Sequence, residues 1–197
     1  SKDPGLLESV LEVDFFLPLP NKQQLAALLN ERIAYTQNYE QRMGYLRLYN
    51  NEKRFQAGVH LLKKLAKPTD IGRFLSDLAD VIVQTAIDSV IDAYAEDVPD
   101  IRKLSFAVLA LGKLGSREMT FGSDLDLVFV YDDEGDSASE MRAHVQRLSQ
   151  RLVSALTLLT REGRLYEVDT RLRPGGSDGP IAVSLQAFDA YFTNSAW

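Results

Sequence analysis

Asp124 and Asp126 stand one residue apart inside GSDLDLVFVYDD, residues 122–133, a run otherwise rich in Leu, Val and Phe. Such a run reads as a buried strand, and along a strand alternate side chains share a face. The two carboxylates are therefore expected side by side, with Leu125, Leu127 and Phe129 turned to the other face as core. Carboxylates held that close repel, and burial adds to the cost of their charge. A neighbouring Arg or Lys, a shared proton or a divalent cation could offset this. An all-oxygen pair with no Cys or His nearby suits Mg²⁺ or Mn²⁺ rather than zinc. The plain alternative is two solvated acids at an exposed strand end, and the D-x-D pattern alone does not choose between them.

The surroundings add further candidates. Gly122 and Ser123 precede the pair, and ALGKLG lies about ten residues upstream. Backbone amides of a Gly-rich turn can surround phosphate oxygens, with Lys113 adding a point charge; a tight strand-to-helix turn would need glycine equally. A third acid, Asp169, sits in EVDTRLR, with Arg171 and Arg173 on its own face if the strand stays extended. A phosphate ligand would explain those arginines, and so would ion pairs with Glu167 or Asp169.

These residues must be carried by a framework, and its outline is legible. Up to residue 100 the pattern is helical. LPNKQQLAALLNERIAYTQNYEQRMGYLRLY has Asn21 as a cap, and NEKRFQAGVHLLKKLA ends on Lys63 and Lys64, which suit a helix C-terminus. In the next helix Thr69 can serve as cap, and Ile71, Phe74, Leu75, Leu78, Ile82, Ala86, Val90 and Tyr94 form one stripe. Beyond DVPDIRKL the period changes. SFAVLAL, 105–111, reads as a strand, as do the D-x-D run and GRLYEVDTRLR, 163–173. Between the last two lies a helix opening with Ser137 and Glu140 at capping-box spacing. Its stripe is Met141, Val145, Leu148, Leu152, Leu156 and Leu159. PGGSDGP reads as a loop, and the rest as a short strand and a helix capped by Ser184. The order predicts an α+β fold with a mixed β-sheet, a helical arm or bundle over 1–100 and an α+β domain over 101–197.

Composition narrows the class. At 45% hydrophobic and 25% charged, the 197 residues are ordinary for a globular chain able to bury a core. A net charge of −6 with no strongly basic run argues against a nucleic-acid partner. The absence of Cys excludes disulfides and thiolate metal sites and suits a reducing cytoplasm. No run of 18 apolar residues exists to span a membrane, and SKDPGLLESV lacks the features of a signal peptide. The ending NSAW suggests a piece of a longer chain. His60 and His144 have no ligand-spaced partner and read as structural, the acidic run DDEGDSASE reads as a solvated loop, and Trp197 reads as packing on sequence further on.

LGKLGSREMTFGSDLDLVFVYD together with RLYEVDTRLRPGGSDGP resembles the nucleotidyltransferase superfamily that includes DNA polymerase β. Within it the similarity is to the glutamine synthetase adenylyltransferase family, whose members resemble two such catalytic domains in tandem. LYEVDTRLRPGG and AFDAYFTNSAW look more like the second, AMP-adding copy than the first. The resemblance extends well over about residues 50–197 and more loosely over the first fifty.

The resemblance implies a polymerase β-like fold and a regulator of nitrogen assimilation in the bacterial cytoplasm. Asp124, Asp126 and Asp169 would hold two Mg²⁺ ions, with Asp169 also a candidate for deprotonating the acceptor. AMP would pass from ATP to a tyrosine hydroxyl of glutamine synthetase, with pyrophosphate leaving. Glutamine and a PII-type signal protein would regulate the full-length protein. Tyr131, Tyr166 and Tyr191 read as packing residues rather than acceptors. One feature departs from the superfamily signature, a Gly followed by Gly or Ser nine to thirteen residues before the D-x-D. Gly115-Ser116 has the right residues but only seven intervene, whereas Gly112-Lys113 has ten but carries Lys in place of the small residue. The expected nucleotide contacts are therefore Gly112, Lys113 and Ser123, with Arg171 and Arg173. The rival readings are the AMP-removing copy, which releases ADP with phosphate, a non-catalytic docking piece for the synthetase, and a small-molecule nucleotidyltransferase.

Overall fold

Asn21 starts the first helix as its position suggests. In the computed structural model, which describes residues 13–132 and 138–194, Asn21 and Gln24 each accept the other's backbone N–H, a complete capping box. This opens α1, Lys22–Ile33. The apolar pattern running on from it is interrupted at Asn38, whose side chain accepts from the Gln41 amide and starts α2, Tyr39–Leu62. Lys63 and Lys64 lie just past its end, with Lys64 at φ 58 turning the chain. The third helix, α3 (Pro68–Ala95), is not capped by Thr69 as expected. Pro68 occupies its first turn and Lys67 the cap position; a proline there has a preset φ and no N–H to satisfy, so no side-chain cap is formed. The whole predicted stripe of α3, from Ile71 to Tyr94, is buried.

The sheet has four strands. Its centre is β2, Leu125–Tyr131, and β1, Phe106–Ala110, runs antiparallel along one edge. The other edge is shared by two short parallel strands. β3, Val168–Asp169, pairs with Leu125 and Asp126, while β4, Ala182–Ser184, pairs with Phe129 to Tyr131. Helix α4, Ala138–Thr157, connects β2 to β3. Helix α5, Leu185–Asn194, follows β4, with the Ser184 hydroxyl accepting from the Ala187 amide at 3.2 Å. The fold is α+β with a mixed sheet, as expected.

Two elements are shorter than their apolar runs. Only Val168 and Asp169 of GRLYEVDTRLR form a strand, because the chain before them follows α4, Tyr166 N–H reaching the Leu156 carbonyl at 3.0 Å. Leu159 lies beyond the end of α4 and is exposed, while Val145, Leu148, Leu152 and Leu156 are buried. Ser137 of the proposed capping box, residues 133–136 of the acidic run, the Glu140 and Met141 side chains and Trp197 lie outside the described residues.

One apolar core joins α1, α2 and α3 to the sheet and α4, so the helices before residue 100 pack directly on Leu125, Leu127 and Phe129. A second, smaller cluster covers the opposite face, where Val128 and Val130 meet Val183 and Phe188 of α5. β2 is thus enclosed on both sides over most of its length, and Asp126 is the interruption. Both histidines are structural: His60 Nε2 lies 3.0 Å from the Phe15 carbonyl, and His144 Nδ1 2.9 Å from the Tyr94 hydroxyl. Among the described residues no helix is long and apolar enough to cross a membrane.

Candidate active site

Three carboxylates converge where the Asp face of β2 emerges from beneath α5. Asp126 belongs to β2, and the parallel register sets Asp169 of β3 beside it. Asp124 immediately precedes the strand, two residues from Asp126 and so on the same face. One oxygen from each of the three lies within 4.8 Å of the others, with Asp124 exposed and the other two half-buried. Burial and the neighbouring charges of Asp124 and Asp169 push the Asp126 carboxyl above the usual range, against the pull of Arg171 and Lys113. Proximity of like charges is the cost anticipated for the pair, and a divalent cation among oxygen donors would relieve it.

Asp169 has a different environment. The Arg171 guanidinium and backbone N–H both donate to it, with Nη2 2.5 Å from Oδ2, Nε 2.9 and 3.0 Å from the two oxygens, and the amide 2.8 Å from Oδ1. These bonds hold its carboxyl below the usual range. The Arg171 side chain is otherwise exposed. Glu167 pairs instead with Arg164.

The chain beyond Asp169 does not stay extended, so Arg173 does not share the acid face. It is buried, and its guanidinium donates to the carbonyls of Thr170 (2.5 Å), Gly179 (3.0 Å) and Pro180 (2.8 Å) and to the Thr170 hydroxyl (3.0 Å). Arg173 thereby closes the loop between β3 and β4, and only Arg171 of the two arginines meets an acid of the cluster.

The Gly-rich turn is a single helical turn, Gly112–Gly115, leaving the end of β1. Leu111 N–H bonds the Asp126 carbonyl at 2.9 Å, which brings the turn against the acid. Gly112 has φ +51, and a Cβ there would overlap the Asp126 carboxylate. The glycine is therefore required both by its left-handed backbone and by close approach to the acid. Lys113 is near enough for its charge to act on Asp126. The Ser123 hydroxyl closes the turn before the acids, accepting from the Thr120 amide at 2.9 Å and lying 2.9 Å from the Thr120 hydroxyl.

Two supporting residues gave no signal in the sequence. Arg117, at φ 64, reaches Asp77 and Asp80 on α3, 2.5 Å from the latter, and ties the segment leading to Asp124 onto that helix. Arg54 of α2 donates to the Phe121 carbonyl. Both bonds join residues far apart in sequence, so no local pattern announces them. Tyr131 and Tyr166 are buried, with Tyr166 donating to Asn50 at 3.0 Å, and the Tyr191 ring packs edge-on against Phe192.

Comparison with known proteins fits this arrangement. The family model described as glutamate-ammonia ligase adenylyltransferase, GlnE, matches residues 1–197. A bifunctional glutamine synthetase adenylyltransferase/adenylyl-removing enzyme of Rhodopseudomonas palustris is 38% identical over 204 residues, covering 100% of this chain and 21% of its own. The protein of the same description from Mesorhizobium japonicum is 36% identical with the same coverage, and that from Bradyrhizobium diazoefficiens is 35% identical with 20% of its length covered. The chain thus spans about a fifth of the length of these relatives. On a match along its whole length, this chain belongs to the glutamate-ammonia ligase adenylyltransferase family.

Proposed function

We propose that this chain transfers AMP from ATP to a tyrosine hydroxyl of glutamine synthetase, within a larger bacterial cytoplasmic regulator of nitrogen assimilation. The observation carrying this reading is the gathering of Asp124, Asp126 and Asp169 from different segments into one cluster of oxygen ligands. The donor set fits Mg²⁺, with Mn²⁺ the nearest substitute. Asp124, Asp126 and Asp169 would hold the metal, which would supply positive charge to the triphosphate and lower the pKa of the attacking phenol, ordinarily near ~10.

In the transfer, the tyrosyl oxygen forms a bond to the α-phosphorus as the bond to the bridging β-phosphate oxygen breaks. Pyrophosphate leaves and the phenolic proton passes to solvent. Asp169 serves as a ligand, with its carboxylate oriented by the Arg171 guanidinium and amide. Lys113 and the exposed Arg171 supply positive charge toward the polyphosphate, Gly112 lets the turn approach, and Ser123 shapes the turn ahead of the acids. Arg173 serves by holding the β3–β4 loop. Regulation by glutamine and a PII-type protein belongs to the intact protein, with no nucleic acid or membrane among the partners.

The wording LYEVDTRLRPGG supports the AMP-adding direction. Calorimetry of ATP with Mg²⁺ tests the site first. An Asp124→Asn/Asp126→Asn variant that remains folded should lose the metal-dependent binding. Transfer of labelled AMP should fall about 10³-fold or more, several kcal/mol of transition-state stabilisation. Undiminished metal-dependent binding in the variant would refute the site. Phosphate-dependent release of ADP from modified synthetase would assign the opposite direction, and synthetase binding without turnover would make the chain a docking piece.

A further inference from the structure

A cavity of about 1100 Å³ opens between α2, α3 and α4 and the turn after α4, sharing no lining residue with the acidic cluster. Arg47 lines it from α2, and Arg147 and Arg151 line it from α4. Met43, Val90 and Leu158 supply apolar wall.

Arg47 is the unusual member. It is 5% exposed, and its buried Nε has no hydrogen-bond partner. Nη2 makes a long bond to the Ala155 carbonyl, at 3.4 Å. A buried guanidinium without a close carboxylate is costly, because its lost hydration is not replaced. That desolvation holds Arg47 below its usual pKa, with Glu162 and Tyr39 opposing the shift at longer range. The Tyr39 phenol, raised by burial, feels the charges of both Arg47 and Arg151. Arg151 lies over the Tyr94 ring, 4.5 Å from its centroid, and lines the cavity as an exposed residue. Of the charged lining residues, three arginines outweigh Glu40 and Glu162, which leaves an excess of one positive charge.

Arginines together with apolar wall are the usual make-up of a pocket for an organic anion. We propose that this cavity binds a small organic anion, a carboxylate or phosphate monoester, seating its charge on Arg47 and Arg151 and its body against Met43, Val90 and Leu158. The site is independent of the nucleotide chemistry assigned to the acids.

The test is titration calorimetry on the 197-residue chain with benzoate and phenyl phosphate as probes. EDTA is present throughout, so that no metal can hold a phosphate at the acids. Benzyl alcohol and inorganic phosphate serve as controls. One saturable site is expected for at least one anionic probe and none for benzyl alcohol. The probe that binds identifies the headgroup. Arg151→Gln should weaken binding about tenfold or more, and Asp124→Asn should leave it unchanged. Arg47→Gln should abolish it; because that residue is buried, the decision rests on Arg151→Gln if the Arg47 variant does not fold. Failure of both probes to bind would overturn the proposal. So would inorganic phosphate binding as well as the probes, an unchanged affinity in Arg151→Gln, or a loss in Asp124→Asn.

Discussion

Gly112 makes the sharpest demand of any single residue. Its left-handed backbone and the nearness of the Asp126 carboxylate both exclude a side chain. Gly112→Ala should cost about 1–3 kcal/mol from the backbone alone. Displacement of Asp126 should weaken Mg²⁺-dependent ATP binding as well, so denaturant unfolding and calorimetry should both respond. Arg171 makes the converse case, because it already occupies Asp169 with four donor contacts. In Arg171→Gln the Asp169 carboxyl returns toward its ordinary range. Mg²⁺ alone should then bind as well as or better than in the wild type, while ATP binds about tenfold more weakly for want of the cation. A parallel loss of both would refute the division of labour. At this scale the sequence was most informative about the acids, since the period of a strand alone sets Asp124 and Asp126 on one face. It could not separate Arg171 from Arg173, because their fates diverge with a backbone turn that the apolar pattern does not record.

Among the elements, α2 carries much of the support. Glu52 on this helix meets Arg32 of α1 at 2.5 Å and Lys53 at 3.0 Å. Burial alone would raise its carboxyl, but the hydrogen bond from Arg32 and the charge of Lys53 more than offset this and hold it below the usual glutamate range. A carboxyl depressed on folding stabilises the native state above its unfolded pKa, and that contribution is lost as pH falls through the folded value. Glu52→Gln should therefore cost about 0.5–1 kcal/mol at pH 7. The gap between variant and wild type should close below about pH 4; a gap constant with pH would point to packing instead. The helix stripes were legible because a period of 3.6 persists over many residues, as in α3. Ends were less so: Thr69 competes with a proline at the start of α3, and β3 is a two-residue fraction of its apolar run.

For the whole molecule, the shared core decides how the chain unfolds. Sequence pattern changes near residue 100, from a helical arm to an α+β domain, and α3 packs its stripe into the same cluster as Leu125, Leu127 and Phe129. That meeting of surfaces is a long-range fact, invisible to local periodicity. Unfolding followed by far-UV circular dichroism, and by exchange of amides in β2, should therefore give one coincident transition. Residues 101–197 made alone should fail to fold, since their sheet would expose the face that the helices cover. Two separated transitions would show that the arm and the sheet are independent.

The brevity of β3 bears on how the site comes into being. Two residues of ladder, with the Leu125 amide bonding the Glu167 carbonyl at 2.9 Å, hold Asp169 beside Asp126. So short a seam opens and closes as a local equilibrium, apart from the stability of the core beneath it. Ligation that spans both strands works as a basting stitch along the sheet's edge, and its apparent affinity is lowered by whatever fraction of molecules has the seam open. Readiness for chemistry and the completeness of the fold at this edge are consequently one variable, set by the same two residues.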